Sequence, residues 1–410
     1  MTPVRDQERE ARCAQALLLH EEAGDRKAMA LDCYQLGTLH QERGQLDAAA
    51  AMYRRALVLC ESMQDVQGAA AAYCRLGLLY EMHGHLGQSL FFLEEARDRH
   101  DAIHDVRGLA ADLGYIGFVH FQMEDHRQAE SHYREALALN EQTRTTAKQA
   151  EDWGNLGNLF AAQGRDEEAE EAYRKALALF EEAADRKGVA SQYRSLGNLS
   201  LNRDDLEQAR TFYELSLGLE AESGSTLGRG IALSGLGQVC EREGQLEQAE
   251  MHYEQALELV AAMGHKRQLA TLRGRLGSLR QRRGDPQGAA ESLEEAIALA
   301  RQLDDRSDEG RWCKRLADTY LKPGNEDLDR ARTLYDRALA IYRDLNDGSG
   351  QAQVFVGMGN LAARTGEVTQ AVALWTAASE RYRELGVDDQ VRSIEGAMKQ
   401  IWSRGRTQVA

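Results

Sequence analysis

Residues 156–176 read LGNLFAAQGRDEEAEEAYRKA, and the chain says nearly the same thing every 40 residues. The opening Leu-Gly pair recurs at Leu36-Gly37, Leu76-Gly77, Leu196-Gly197, Leu236-Gly237 and Leu276-Gly277, with Ile116-Gly117, Leu316-Ala317 and Met358-Gly359 as variants. Successive pairs lie 40 residues apart for seven steps and 42 apart for the last. A fixed period of about 20–50 residues decides the architecture before any local argument, because it marks stacked units that pack on their neighbours.

Each unit reads as two helices. Three residues after the ladder leucine comes a second apolar residue, such as Leu39, Leu79, Val119 or Leu159, with Thr319 the exception. That spacing marks a first helix, A. Eight residues after the leucine stands a breaker, Gly44, Gly84, Gly164, Gly244 or Gly284, replaced by Glu124 and Asp204 in two units. Glycine there suits the left-handed turn that closes a helix. A second helix, B, then carries an Ala–Tyr–Ala signature: Ala129/Tyr133/Ala136, Ala169/Tyr173/Ala176, Ala249/Tyr253/Ala256, and Ala371/Trp375/Ala378 in the last unit. The small residues let the two helices approach, and the ring fills the gap.

Leu-Gly followed by Ala, Tyr and Ala on the next helix resembles the tetratricopeptide repeat. The family's usual unit is about 34 residues; the 40 here is similar to the longer-helix branch that includes Pins/LGN adaptors, kinesin light chain and bacterial regulators. The proline that often closes the shorter unit is replaced by joints such as Asp65–Gly68, Asp105–Gly108 and Asp185–Gly188. The resemblance implies an all-α, right-handed α-solenoid whose task is to hold a partner protein. The expected layout is an N-terminal capping helix or half repeat over 1–28, nine repeats over 29–390, and a capping helix and tail over 391–410. Residues 16–23 are in phase with Ala176–Ala183, and Met398 follows Met358 by one period; such caps cover the exposed apolar faces of terminal units.

Composition narrows the function. The chain has 410 residues, 3 prolines and a formal charge of −16. A repeat array escapes the size limit of a single core, and the acidic balance argues against a general nucleic-acid binder. No apolar run reaches the ~18 residues a membrane helix needs, and the charged first 20 residues do not read as a signal peptide. The expectation is a cytoplasmic protein without membrane insertion. The six cysteines form no CxxC pair and read as small core residues.

The partner face is the side of helix A away from its core stripe. There Leu31, Tyr34, Ala71, Leu78, Phe118 and Phe121 form an apolar zone, and Asn158, Asn198 and Asn202, with Asn155 beside them, an amide zone. Arg194, Arg242, Arg282, Arg311, Lys314, Lys322 and Arg364, flanked by Arg275 and Arg315, form a basic one. Guanidinium forks suit carboxylates. In Pins/LGN and kinesin-light-chain proteins an Asn directly after Leu-Gly holds the peptide backbone, and the resemblance carries that part onto Asn158, Asn198 and Asn360. Charged residues on helix faces also simply solvate the surface or pair with nearby acids. The expectation is an extended, acidic peptide held from Asn155 to about Arg364.

No phosphate-binding, hydrolase or zinc-protease motif is present. Carboxylate pairs abound on what read as exposed faces, where nothing shifts their pKa. His100 and His104 stand four apart and are weak candidates for a metal; no metal and no cofactor is expected. The leading reading is a non-catalytic scaffold or adaptor. Its alternatives are a self-assembling structural protein forming homo-oligomers, and a regulatory sensor of a signalling peptide.

Overall fold

The computed structural model describes residues 3–407, and every regular element among them is an α-helix, α1 to α20. The first is α1 (Pro3–Ala23) and the last α20 (Asp388–Thr407), with nine A–B pairs between them, starting at α2 (Arg26–Glu42) and α3 (Leu46–Ser62). The first A helix thus begins at Arg26, inside the span expected for the cap, because the Asp25 carboxylate accepts the Ala28 N–H and sets the N-terminus there. The chain divides into two compact units, residues 1–199 and 200–410. Within each, helices stack on their sequence neighbours, and A helices also touch the next A helix. The fold is an all-α solenoid.

Close packing of A on B follows from the Leu-Gly pair. A Cβ added at Gly157 would lie 2.6 Å from the Tyr173 ring, and one at Gly37 or Gly237 would lie 2.7 or 2.6 Å from Tyr53 or Tyr253. Leu93 and Trp375 fill the same hole above Gly77 and Gly359. The rings of Tyr53, Tyr133, Tyr213, Tyr253 and Tyr335 are fully buried; burying a side chain of that size contributes about 3 kcal/mol. Thr319, the exception in the apolar stripe, is also fully buried, and its hydroxyl donates to the Arg315 carbonyl. Hydrogen bonding makes that burial tolerable.

The joints obey the same logic. The breakers take positive φ, 70° at Gly44 and 79° at Gly244, and the two substitutes, Glu124 and Asp204, take 60° and 61°. In the Asp-x-x-Gly joints the aspartate caps the following helix: Asp65 accepts from Gly68 N at 3.0 Å and Asp185 from Gly188 N at 3.1 Å. The one long joint is Leu321–Asp327, between α16 (Arg306–Tyr320) and α17 (Leu328–Asp344). It holds the two extra residues of the 42-residue step. All six cysteines are free, four of them buried.

Carboxylates are not confined to exposed faces, which corrects the reading from sequence. Asp32, Asp112 and Asp152, each four residues before a ladder residue, are buried and meet the last turn of the preceding B helix. Asp32 bonds His20 at 2.6 Å, Asp112 bonds His100 at 2.5 Å, and Asp152 accepts from Asn140 at 2.7 Å. Burial raises Asp112, and the bond to Asp112 raises His100. Asp152, facing a neutral amide, is pushed up to about 7 by burial. Elsewhere Glu309 is buried between Arg301 and Arg337, 2.8 and 2.5 Å away.

Two predictions follow from packing and burial. Gly157→Ala drives a methyl into the Tyr173 ring and costs about 1–3 kcal/mol, whereas Gly218→Ala, with nothing within 4 Å of its Cβ, gains up to about 1 kcal/mol from helix propensity; thermal melts that rank them otherwise overturn the packing argument. The folded pKa of Asp152 lies above its unfolded value, so the folded state binds the extra proton, and stability falls as pH rises from about 4 to about 7. Asp152→Asn is therefore more stable than the wild type at pH 8, by a few kcal/mol at most, with the difference vanishing near pH 4, as urea melts at the two pH values measure.

Candidate functional site

In the second unit three successive A helices, α14 (Lys266–Arg283), α16 and α18 (Gly348–Arg364), present their polar faces together. They line a cavity of about 820 Å³ whose charged walls are Arg282, Lys314, Lys322 and Arg364 against one carboxylate, Asp318. Asn360 and the Trp375 ring complete it, and Ala397 of α20 closes one side. Four of the expected residues, Arg282, Lys314, Asn360 and Arg364, thus meet in one place.

Most of these cations are already engaged. Arg282 bonds Glu241 at 2.6 Å, Lys314 bonds Asp318 at 2.8 Å, and Arg364 bonds the Leu321 carbonyl and Glu326. Arg242 likewise reaches the Leu201 carbonyl at 2.5 Å and Asp204 at 3.2 Å. The geometry repeats: the residue six after a ladder position reaches back across 41 residues, as Arg282 does to Glu241, Arg242 to Leu201 and Gln122 to Glu81. Across the long joint the same reach spans 43, from Arg364 to Leu321. The signal lay in the sequence as a 41-residue pairing inside a 40-residue repeat, and the reading by face alone missed it. Such exposed pairs are worth about 0–1 kcal/mol, so they hold the cations in place without removing them from a competing anion.

A second cluster has fewer acids than cations. Arg275, Arg311 and Arg315 influence one another: partial burial first, then the charges of Arg275 and Arg315, lower the Arg311 guanidinium below its ordinary value. Arg311 lies 4.7 Å over the Trp312 ring and pairs with Asp308. Arg315 is exposed and has no carboxylate partner among the described residues, and neither has Lys322. Like charges gathered from adjacent helices favour a multivalent anion.

The amides divide differently. Asn158 is exposed, but its Oδ1 accepts from the Tyr173 hydroxyl at 2.9 Å, so one end of the expected backbone clamp serves the fold. Its position in other units does the same work: Thr38 lies 3.2 Å from the Tyr53 hydroxyl, and Asp318 accepts from Tyr335 at 2.6 Å. Burial pushes the Tyr173 phenol up to about 12, which keeps it a donor. Asn155 is half-buried, Asn198, Asn202 and Asn360 are exposed, and Arg194 donates to Ser191 at 3.2 Å. Asn155, Asn158, Arg194 and Asn198 belong to the first unit.

The metal candidates do not meet. Helix α5 (Leu86–Ala102) ends before His104, which occupies the joint at φ 56°, and His100 is committed to Asp112. No group of three ligating side chains able to hold a metal occurs among the described residues. No helix among them is long and apolar enough to cross a membrane.

Family models described as tetratricopeptide repeat match residues 33–67, 109–182, 189–262 and 267–344. No curated protein matches. Among solved structures, the chain is similar to the Rap conjugation gene regulator of plasmid pLS20 in complex with a peptide, at TM-score 0.57 and 15% identity, covering 82% of this chain and 96% of that one. It is similar to aspartyl phosphate phosphatase F from Bacillus subtilis, at 0.54 and 11%, covering 85% and 93%. It is also similar to a signal transduction ATPase with a tetratricopeptide repeat sensor from Pyrococcus horikoshii, at 0.60 and 14%, covering 84% of this chain and 55% of that one. At these identities the likeness is one of fold.

Removing the Asn158 acceptor leaves the buried Tyr173 hydroxyl with Ser195 as its remaining partner. Asn158→Ala is expected to lower stability by about 1 kcal/mol, and Tyr173→Phe to remove most of that sensitivity in a double-mutant cycle; additive losses in urea melts overturn the assignment.

Proposed function

This chain belongs to the tetratricopeptide repeat family, a protein-interaction scaffold, and from that premise we propose that it is a non-catalytic adaptor holding an acidic, extended peptide. The supporting observation is the cavity of α14, α16 and α18, where four cations face one carboxylate in a chain of net charge −16. The Arg275, Arg311 and Arg315 cluster extends the cationic face along the same helices. Asparagine amides beside it, Asn360 above all, offer a donor and an acceptor to a peptide backbone. A neighbour of the same fold was solved with a peptide, which supports a peptide as the ligand class.

An acidic ligand gains here by exchange. It displaces weak surface pairs such as Arg282–Glu241 and Lys314–Asp318 and adds a charge opposite Arg315 and Lys322. Its affinity therefore depends strongly on salt. The proposed setting is the cytoplasm, where six free thiols stay reduced.

A fluorescein-labelled oligoglutamate peptide tests the reading by anisotropy, with oligolysine as control. The acidic peptide is expected to bind, to weaken at high salt, and to lose about tenfold or more in affinity in the double variant Arg315→Glu, Lys322→Glu. Both positions are exposed and lack carboxylate partners, so the fold tolerates the change. Equal binding of the two peptides, or unchanged affinity in the variant, removes the proposal.

A further inference from the structure

Where one unit hands over to the next, the end of helix B packs beneath the start of the following helix A. A Cβ added at Gly108, Gly188 or Gly350 would collide with the ring of His100, Phe180 or Tyr342, which stands eight residues earlier. That earlier position also meets the residue twelve further on, as His100 meets Asp112 and Asn140 meets Asp152. Between α3 and α4 (Val66–Met82) the same two positions hold Cys60 and Ala72. No other unit pairs two residues this small; where the first is Ala300, the second is Trp312.

A cavity of about 500 Å³ lies at this place. Leu31 and Tyr34 of α2, Ala56 and Cys60 of α3, and Gly68 and Ala71 of α4 form its walls. The Cys60 Sγ would lie 2.7 Å from a Cβ on Gly68, so the thiol stands where the rings of His100 and Phe180 stand in their own units. The volume falls in the range of small-molecule sites. Apolar cavities of this kind stay dry and take up uncharged aromatic molecules.

The walls are held in place. The Tyr34 ring packs edge-on against Tyr53, with centroids 5.7 Å apart at 62°, and its hydroxyl accepts from Arg75 at 2.7 Å. Of the three charged groups along the lining, Asp25 and Lys27 are exposed. Asp25 and Asp65 each spend a carboxylate oxygen on capping, from Ala28 N and Gly68 N. Burial first, then the charges of Asp65 and Glu61, push the Cys60 thiol up, so it stays neutral. A neutral sulfur is a soft, polarisable surface for a ring.

We infer that this cavity is a binding site for a small uncharged aromatic compound of one or two rings, seated over Cys60 where other units seat a ring of their own. The ligand supplies the packing that Cys60 and Ala72 are too small to give. Charged analogues are disfavoured, because burying their charge here finds no partner at the floor. The site belongs to the first unit and stands independently of the proposed peptide face in the second.

5-Fluoroindole, followed by fluorine NMR against the full-length chain, is the probe, with zwitterionic 5-fluorotryptophan as control. The indole is expected to saturate with a Kd below about 1 mM and to bind at least about tenfold more tightly than the amino acid. Cys60→Phe copies the arrangement of Phe180 beneath Gly188, so it is expected to fold and to abolish saturation. Ala71→Phe closes the cavity from α4, at a position where other units carry Ile231, Thr271 or Arg311, and is expected to weaken binding at least about tenfold. Circular dichroism melts establish that each variant is folded, and should one unfold, the other carries the test. Absence of saturation by the indole, equal affinity for indole and amino acid, or wild-type binding in either folded variant overturns the inference.

Discussion

Everything in this molecule is arranged around one steric fact: the backbone of helix A at the ladder glycine lies against a ring of helix B with no room for a methyl group. At Gly157 the notional Cβ comes within 2.6 Å of Tyr173, and Gly37, Gly77, Gly117, Gly237, Gly277 and Gly359 repeat the contact with Tyr, Leu or Trp as the knob. Such an approach fixes the distance and the register of the two helices together. Once these are set, each helix face has a fixed role. The ladder residue and the apolar residue three later go inward, the positions two and five later reach the ring's hydroxyl, and the position six later reaches the preceding unit. The hydroxyl bonds from Tyr173 to Asn158 and from Tyr253 to Glu241 are consequences of that geometry.

The same fact explains why the fold was legible. A glycine recurs in eight of the nine units, with Ala317 in the other, and the knob, a ring in most units, recurs sixteen residues after the glycine, so the architecture is written many times over. The site is written once. Whether Arg282 faces solvent or Glu241 depends on side-chain reach between units, and no single repeat shows it. The buried carboxylates were hidden for a different reason. Asp32, Asp112 and Asp152 share a position that holds Gln192 in one unit and Ala72, Ala232, Leu272, Trp312 or Val354 in the others, so polar residues in four of nine units dilute the periodic signal that marks it as core. Their partners, His20, His100 and Asn140, come from the preceding helix. Only three-dimensional pairing turns a polar residue into a buried one.

Charge on the A-helix face is held in a poised condition. Ion pairs with exposed partners each contribute at most about 1 kcal/mol, so linking successive units through Arg242, Arg282 and Arg364 adds little stability but places guanidiniums at a regular spacing. Where acids run short, at Arg275, Arg311 and Arg315, the guanidiniums disfavour one another, and the lowered pKa of Arg311 records part of that repulsion. Repulsion of this kind is relieved by an external anion. The pairing that weakens a naive reading of the stripe therefore also orders its side chains for exchange, because a side chain already held in one rotamer loses less entropy on meeting a ligand.

The irregular unit shows how a periodic scaffold acquires a distinct surface. In a strict repeat every seam is closed by the residues that close its neighbours, and a change of one side chain alters one contact. Two residues inserted at Leu321–Asp327 act differently: they lengthen the joint alone, and Tyr335 meets Asp318 as Tyr173 meets Asn158. The lengthened joint carries Leu321 and Lys322 to the cationic cavity. The core is unchanged, with Tyr335 buried and bonded to Asp318. A longer joint between elements whose inner contacts hold is thus a low-cost way to place new residues on the surface of a solenoid, and the length of a joint is as informative about binding as the residues it carries.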